Sequence, residues 1–303
     1  MAAVIAVAGL GLGLGLGGCS GGSGAESPGD AADQAGQVTE GGDIDVIASF
    51  YPLAYLAERI GGDAVTVTDL TPKGGHAHDL ELSPRQVSAM DNADVVFYLG
   101  DSFQPAVESA VLQSSATSLD GMEVITDDMQ LPGDPHIWLD PMIMASMGDA
   151  LAQQLSAVDP KQADLFQANA ASLRDELEEI NQEYQDALAD CKGETLITSH
   201  EAFGYMANAY GLNQVGVTGL NPEAEPSPKR IRELEKTMAD TGATTLFFET
   251  QTASATEQKL ADALGVGTGH LETLESGPIA ADDYVGALRA NLEALRQGMN
   301  CAR

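Results

Sequence analysis

Residues 159–190 read DPKQADLFQANAASLRDELEEINQEYQDALAD, and this stretch decides the architecture of the chain. Asp159 is a candidate N-cap and Pro160 suits the first helical position, so we predict a helix from here to residue 190. Its larger apolar residues recur at steps of 3, 4 or 7, as one stripe: Phe166, Leu173, Leu177, Ile180, Tyr184 and Leu188. A helix of about 30 residues spans roughly 45 Å, enough to join two halves of a protein.

Short β-rich runs alternate with amphipathic helical segments on each side of this helix. The runs are residues 45–50, 64–70, 93–100 and 122–126 before it, and 195–200, 214–219, 244–250 and 267–274 after it. Such alternation is typical of βαβ units with a parallel sheet. We therefore predict an α/β protein with two parallel-sheet lobes, residues 43–158 and 191–303, joined by one long rigid helix at 159–190.

The charge balance of the chain excludes one class of partner. The 303 residues include 46 acidic and 14 basic side chains, which gives a formal net charge of −32. Because a phosphate backbone must be met by Lys and Arg, we predict no nucleic-acid partner. A basic patch for anionic lipid is disfavoured for the same reason.

The N-terminus predicts export and a lipid anchor. Residues 1–18 carry no charged side chain and end in Leu-Gly-Gly before Cys19, a pattern typical of a signal peptide. The LGGC sequence resembles the lipobox of bacterial lipoproteins, although no Lys or Arg precedes the apolar run. We predict lipidation of Cys19, a flexible acidic linker at 19–42, and a location on the outer face of the cytoplasmic membrane.

Export also changes the interpretation of the other cysteines. Cys191 and Cys301 form an even pair in an oxidising compartment, so we predict a disulfide between them. Two separate buried thiols are the alternative.

The histidines are candidates for a metal site. They are His76, His78, His136, His200 and His270. His78, His136 and His200 lie at the ends of predicted strands or in the loops that follow, where open α/β sheets bind ligands. Position 204, where a second His of an H-E-x-x-H motif would stand after His200, is Gly204. Spacing alone therefore leaves surface, core and metal-binding roles open.

Several segments together point to a family. GHAHDLELSPRQVSAMDNADVVFYLG, DPHIWLDP, TSHEAFGYMANAYGL, GLNPEAEPSPKRIREL and LFFETQTAS resemble segments of the metal-binding lipoproteins of ABC importers, the cluster A-I class that serves zinc and manganese uptake. They occur in the family's order, and the resemblance extends from residue 44 to 300. It implies a single metal ion held between two α/β lobes.

The resemblance also implies a set of ligands. They are His78, His136, His200 and Glu275. His78, rather than His76, matches the first position, and His76 is at most an accessory. Glu272 is the alternative fourth ligand, because the LETLES segment departs from the commonest family pattern.

The chemistry of this set favours zinc. Three imidazoles and one carboxylate suit Zn²⁺, whereas Mn²⁺ prefers more oxygen ligands, so we predict Zn²⁺ as bound cargo. We expect Asp79 and Asp140, which flank ligands, to accept hydrogen bonds from ligand imidazoles. His270 matches no ligand position and is expected to be structural, and the short loop at 126–134 has no His and is expected to be an ordinary solvated loop.

These observations predict a monomeric binding protein rather than an enzyme. It would capture Zn²⁺ outside the cytoplasm and deliver it to a membrane permease driven by a cytoplasmic ATPase. The alternatives are a manganese or iron carrier of the same family, a cell-surface zinc hydrolase with Glu201 as its base, and an adhesin. Four protein ligands argue against a hydrolase, because they leave no open position for a water nucleophile.

Overall fold

Two four-stranded parallel sheets organise the residues that the computed structural model describes, which are 42–191, 193–222, 224–249, 255–279, 281–299 and 301. The first sheet has the order β2-β1-β3-β4, with β1 (Ile44–Ala48), β2 (Val65–Asp69), β3 (Val95–Tyr98) and β4 (Thr117–Asp120). The second has the order β6-β5-β7-β8, with β5 (Thr195–Thr198), β6 (Asn213–Gly216), β7 (Thr245–Phe248) and β8 (Gly267–His270). The strand order of each sheet reverses beside its first strand, which opens a crevice at the carboxyl ends of the strands.

The central strands are apolar because helices cover both faces of each sheet. Val46, Val95 and Leu246 are all fully buried. Parallel strands buried on both faces favour such β-branched and aliphatic side chains. The predicted α/β class with two parallel-sheet lobes is therefore confirmed, and seven of the eight predicted runs overlap observed strands.

The prediction of a strand at 122–126 was wrong. Strand β4 lies earlier, and residues Gly121–Val124 form a 3₁₀ turn that places Met122 in the core. The Oδ1 atom of Asp120 accepts hydrogen bonds from the backbone N–H groups of Gly100 and Met122, both at 2.9 Å, and so ends the strand. This edge strand was missed because its first residues, Thr117 and Ser118, are exposed and polar.

Helices alternate with the strands in both lobes. They are α1 (Tyr51–Gly61), α2 (Pro84–Asn92), α3 (Pro105–Val111), α4 (Pro141–Val158), α5 (Ala163–Ala187), α6 (Gly204–Tyr210), α7 (Pro228–Thr241), α8 (Ala255–Leu264) and α9 (Tyr284–Gly298). Side-chain oxygens of Ser83, Asp140, Ser227 and Asp283 accept backbone N–H groups at the starts of α2, α4, α7 and α9. These caps satisfy donors that a helix leaves unpaired at its N-terminus.

Helix α5 is the linking helix, and it is shorter than predicted. It has 25 residues, about 37 Å at 1.5 Å per residue, instead of the predicted span from 159 to 190. Asp159 is not its N-cap: this residue ends α4, and its Oδ1 accepts the N–H of Lys161. A turn therefore separates α4 from α5, whereas the sequence suggested that the linking helix begins at Asp159.

The buried stripe of α5 joins the two lobes through one apolar core. Every predicted stripe residue from Phe166 to Leu188 is buried. One hydrophobic cluster includes this stripe together with Leu56 and Leu151 from the N-terminal lobe and Leu292 from α9. The Tyr184 hydroxyl donates a hydrogen bond to the Leu288 carbonyl of α9 at 2.7 Å. The sheets are thus held at a fixed separation by a shared core.

No helix among the described residues is long and apolar enough to cross a membrane. The predicted signal peptide, the lipidation site Cys19 and most of the linker lie outside the described residues.

A disulfide joins Cys191, just after α5, to Cys301, with Cα atoms 4.7 Å apart and a sequence separation of 110 residues. We expect the Cys191→Ala/Cys301→Ala variant to lose on the order of 2–5 kcal/mol of unfolding free energy, because the cross-link restricts a long loop in the unfolded chain. Urea unfolding of the variant, the wild type and the reduced wild type measures this. Equal midpoints for variant and oxidised wild type would contradict the expectation.

Asp69, the last residue of β2, carries a largely buried carboxyl. Burial raises its pKa to about 7, although the N–H of Thr71 donates to its Oδ1 at 2.9 Å; the negative charge of Glu58 adds to the rise. Between the unfolded pKa of 3.8 and about 7 the folded protein therefore holds a proton that the unfolded chain has released. The contribution of Asp69 to the unfolding free energy therefore falls as pH rises through that window, and it stays low above the window.

The Asp69→Asn variant should remove this pH dependence because an amide does not titrate, and its oxygen can still accept the N–H of Thr71. We expect it to exceed the wild type in unfolding free energy by on the order of 2–4 kcal/mol at about pH 8, and by less at about pH 5. Denaturant melts at both pH values measure the difference, with the exposed Asp63→Asn as control. An equal difference at both pH values would rule out the buried proton at Asp69.

Candidate metal centre

The site is built by loops at the carboxyl ends of both sheets. His78 lies in the loop after β2, and His136 begins a 3₁₀ turn between β4 and α4. His200 follows β5 by two residues, and Glu275 lies in the segment after β8. The two lobes thus contribute two side chains each, at the edges where open α/β sheets bind ligands.

These side chains converge on one point. The candidate donor atoms of His78, His136, His200 and Glu275 all lie within 4.8 Å of one another. The Nε2 atoms of His78 and His136 are 3.3 Å apart, and Oε1 of Glu275 lies 3.6 Å from the first and 3.9 Å from the second. Tetrahedral ligands at 2.0–2.1 Å from a zinc ion stand about 3.3 Å apart, so the cluster is close to the size such an ion requires.

The cluster is shielded from water. His136 and His200 are 0% and 1% exposed, and Glu275 is 8% exposed. The Nε2 atom of His200 is fully buried and has no hydrogen-bond partner among the residues that the structure describes. A buried polar nitrogen without a partner is costly, and in this position it is available to a cation.

The protonation of the site suits cation binding. Burial lowers the pKa of His136, which keeps its imidazole neutral despite the adjacent Asp134. For His200 burial alone would lower the pKa, but the hydrogen bond and charge of Glu249 raise it above its usual value. Burial opposes ionisation of Glu275, yet its hydrogen bond to His78 and the charges of the other imidazoles lower its pKa. A cation entering the cluster therefore competes with a proton at His200, whereas His136 already presents a neutral imidazole.

Two carboxylates orient the imidazoles, and sequence reasoning missed both. Oδ1 of Asp134 accepts a hydrogen bond from Nδ1 of His136 at 2.7 Å and from its backbone N–H at 3.0 Å. Oε1 of Glu249 accepts from Nδ1 of His200 and, at 2.7 Å, from the Ser199 hydroxyl. A carboxylate on Nδ1 fixes the tautomer that leaves the Nε2 lone pair for a metal.

The residues for which we predicted this role do something else. Asp140 directs its carboxylate to the N–H groups of Met142 and Ile143 as the cap of α4. Asp79 is exposed, and no described hydrogen bond joins it to a histidine. Two features of the sequence indicate the carboxylates that do bond the imidazoles: the Asp-x-His spacing of residues 134–136, and the position of Glu249 directly after β7.

Glu272 and Glu275 have separate positions. Oε2 of Glu272 accepts the backbone N–H of Ile279 at 2.8 Å, and Asn291 bonds both the N–H and the carbonyl of Glu272. Between the two acids Leu274 has a φ of 63°, a left-handed conformation that is costly for leucine. This backbone path directs Glu275 into the cluster, while Glu272 anchors the segment that carries it.

Aromatic side chains wall the site and connect the lobes. The His78 ring lies 4.8 Å from the Phe103 ring, and the His136 ring lies 5.1 Å from that of Trp138. The indole N–H of Trp138 donates to the carbonyl of Thr273, two residues before Glu275, at 2.7 Å. This bond ties the turn of one lobe to the ligand segment of the other.

The remaining candidates lie outside the cluster. His76 is exposed, on the rim of a cavity of about 530 Å³ that Glu249 and Glu275 also line. Nε2 of His270 donates to the Glu249 carbonyl at 2.9 Å, a structural contact. Glu201 accepts the N–H of Gly216 and pairs with Arg230, both at 3.3 Å, so it is not placed as a base beside the cluster.

A two-lobed α/β fold that brings three histidines and a glutamate together between its lobes defines a metal-binding solute-binding protein. The chain belongs to the ZnuA family, described as the zinc-uptake complex component A, periplasmic, whose model matches residues 46–298. Members are transporter components rather than enzymes, in agreement with our prediction.

Individual relatives agree with this assignment. The chain is 31% identical over 299 residues to the zinc-binding protein AdcA of Streptococcus pyogenes, covering 87% of this chain but 57% of that protein's length. It also resembles the Zn(II)-bound ZnuA-like domain of Streptococcus pneumoniae AdcA, with a TM-score of 0.75, 30% identity, and coverage of 86% of this chain and 100% of that domain.

A third relative has a second described activity. The laminin-binding protein Lmb of Streptococcus agalactiae, described as bifunctional with adhesin and metal-transporting activity, has a TM-score of 0.77 and 29% identity. The match covers 86% of this chain and 99% of that one.

The contact between Glu249 and His200 gives a prediction for metal binding. We expect Glu249→Gln to weaken zinc affinity about 10-fold, because a neutral amide orients the imidazole less firmly than a carboxylate. Competition titration with a chromophoric chelator measures the affinity. Asp79→Asn, which changes an exposed carboxylate beside a cluster residue, serves as control and should bind like the wild type. Equal losses in both variants would show that net charge, not orientation, is responsible.

Proposed function

We propose that this protein captures Zn²⁺ outside the cytoplasm and delivers it to a membrane permease powered by a cytoplasmic ATPase. The observation that carries the proposal is the convergence of His78, His136, His200 and Glu275, with donor atoms within 4.8 Å of one another. In this proposal these four residues are the zinc ligands. Family membership supports the transport role, and the partner proteins follow from the class of transporter.

The donor set favours zinc over manganese as cargo. Three imidazole nitrogens and one carboxylate oxygen form the N₃O set that tetrahedral Zn²⁺ accepts, whereas Mn²⁺ favours six mainly oxygen ligands. The cluster is also compact and buried, and Asp134 and Glu249 hold two of the imidazoles with Nε2 inward. Room for additional oxygen ligands would require side chains to withdraw from the centre.

The same features support carriage of the ion rather than catalysis with it. A catalytic zinc keeps one position open for water and needs a base nearby. The four-ligand cluster supplies a complete shell, and Glu201 is paired with Arg230. We infer that the bound ion is cargo.

The proposed location depends on Cys19. Lipidation of this residue would hold the protein at the outer face of the membrane, where a 19–42 linker would let the lobes reach the permease. Incorporation of a labelled fatty acid into the wild type but not into Cys19→Ala would support this anchor.

Metal analysis of the soluble form that begins after Cys19 tests the function. We expect the wild type to bind one equivalent of Zn²⁺, and His78→Ala, His136→Ala and His200→Ala to weaken binding at least 10-fold, because each removes a proposed ligand. Competition titration against Mn²⁺ in the same samples tests selectivity. Full zinc affinity in all three variants would overturn the proposed site.

Glu275 and Glu272 allow a matched comparison of zinc affinity between two variants. Glu275→Gln should weaken zinc binding more than Glu272→Gln, since the amide at 272 still accepts the N–H of Ile279 while the amide at 275 is a poor ligand. The reverse order would make Glu272 the fourth ligand.

Adhesion is a second candidate, supported by the likeness to the laminin-binding protein Lmb. Surface plasmon resonance of immobilised laminin with zinc-loaded and metal-free protein tests it. Saturable binding would add an adhesin role to zinc capture, and its absence would leave transport alone.

A further inference from the structure

Gly204, the first residue of α6, lies against the carboxylate of Asp134 from the other lobe. A Cβ atom at Gly204 would lie 2.3 Å from Oδ2 of Asp134 and 3.2 Å from Cδ1 of Leu131. The first distance is far shorter than a carbon and an oxygen can approach without a bond. The backbone of Gly204 is helical, so its conformation does not require glycine. Glycine is needed at this position because the Asp134 carboxylate leaves no space for a side chain.

The other oxygen of the same carboxylate holds a proposed ligand. Oδ1 of Asp134 accepts the Nδ1–H and the backbone N–H of His136, at 2.7 and 3.0 Å. A carboxylate is rigid and planar, so displacement of Oδ2 moves Oδ1 as well. Asp134 is 5% exposed and, with Leu131 and Gly204, lines a cavity of about 420 Å³, so a carboxylate displaced by a side chain at position 204 would turn as a unit and carry Oδ1 away from His136.

The loop before Asp134 is also fixed to α6. The backbone N–H of Leu131 donates to the hydroxyl of Tyr205 at 3.0 Å, and the N–H of Asp134 donates to the Leu131 carbonyl at 3.0 Å. The loop therefore has little freedom to retreat as a unit from a larger side chain at position 204. Displacement would fall on the Asp134 side chain instead.

We propose that Gly204 is a positioning residue for metal binding, whose missing side chain lets the C-terminal lobe seat the Asp134 carboxylate that orients His136. This inference rests on the proposed zinc site. It makes the geometry of a histidine in one lobe depend on close packing against a helix of the other. A side chain at position 204 turns the Nε2 lone pair of His136 away from the centre.

Gly204→Ala tests the proposal in the soluble form that begins after Cys19. We expect about 10-fold weaker zinc affinity by competition titration, in the range found when a partner of a metal-ligating histidine is removed. Gly219→Ala is the matched control, because a Cβ there meets nothing within 4 Å. It should bind zinc like the wild type.

Two further measurements separate positioning from a general effect on the helix. In the metal-free protein, the ¹⁵N chemical shifts of the His136 ring should change in Gly204→Ala and not in Gly219→Ala. In an Asp134→Ala background the clash between a Cβ at position 204 and the carboxylate is absent. Adding Gly204→Ala to that variant should therefore weaken zinc affinity less than twofold. A full 10-fold loss in that background, or unchanged His136 shifts, would overturn the proposal.

The outcomes distinguish this inference from the proposed function. If the wild type binds no zinc, the proposed function fails, and the His136 ring shifts of the metal-free variants still decide whether Gly204 positions Asp134. If the wild type binds zinc and Gly204→Ala binds it equally well, the proposed function stands and the inference fails.

Discussion

The packing of α5 against both lobes is the constraint on which the site depends. Its stripe from Phe166 to Tyr184 is buried in a core that includes side chains of both α/β units. Every candidate ligand lies on a loop at the edge of one of the two sheets. Because the shared core fixes the separation of those edges, apolar packing far from the metal centre sets the spacing of the donor atoms.

Within that frame, the site faces an electrostatic problem that two carboxylates resolve. The imidazoles of His136 and His200 and the carboxylate of Glu275 are buried, and burial without partners would be costly for each. Asp134 and Glu249 accept hydrogen bonds from the Nδ1 atoms of His136 and His200, which leaves the Nε2 atom of each ring directed to the centre. Within the described part of the chain, the Nε2 atom of His200 has no hydrogen-bond partner. A cation relieves this state, so the arrangement that orients the ligands also creates the driving force for binding.

The sequence was sufficient for those parts of the structure that follow from local periodicity and from family motifs. The α5 stripe and the alternation of strands and helices are local patterns, and His78, His136 and His200 lie within family segments, whereas the sequence left Glu272 and Glu275 as alternatives for the fourth position. The edge strand β4 is polar on its first residues, and the start of α5 depends on a turn after Asp159, so neither has a strong local signal. Asp134 and Glu249 were missed because orientation of a ring depends on contacts made only after folding. Asp140, a sequence neighbour of His136, was needed to cap α4.

The histidines of the cluster are not held equally by the residues around them. Carboxylates hold His136 and His200, whereas no described carboxylate bonds Nδ1 of His78, which packs on the Phe103 ring. Glu275 follows the left-handed Leu274 and lines the open cavity. Wide separation of the lobes would break the Trp138–Thr273 hydrogen bond and expose the core around α5. Movement of His78 and Glu275 would break contacts within the cluster and with Phe103 but leave that hydrogen bond and that core intact, so local rearrangement disrupts less of the fold than separation of the lobes.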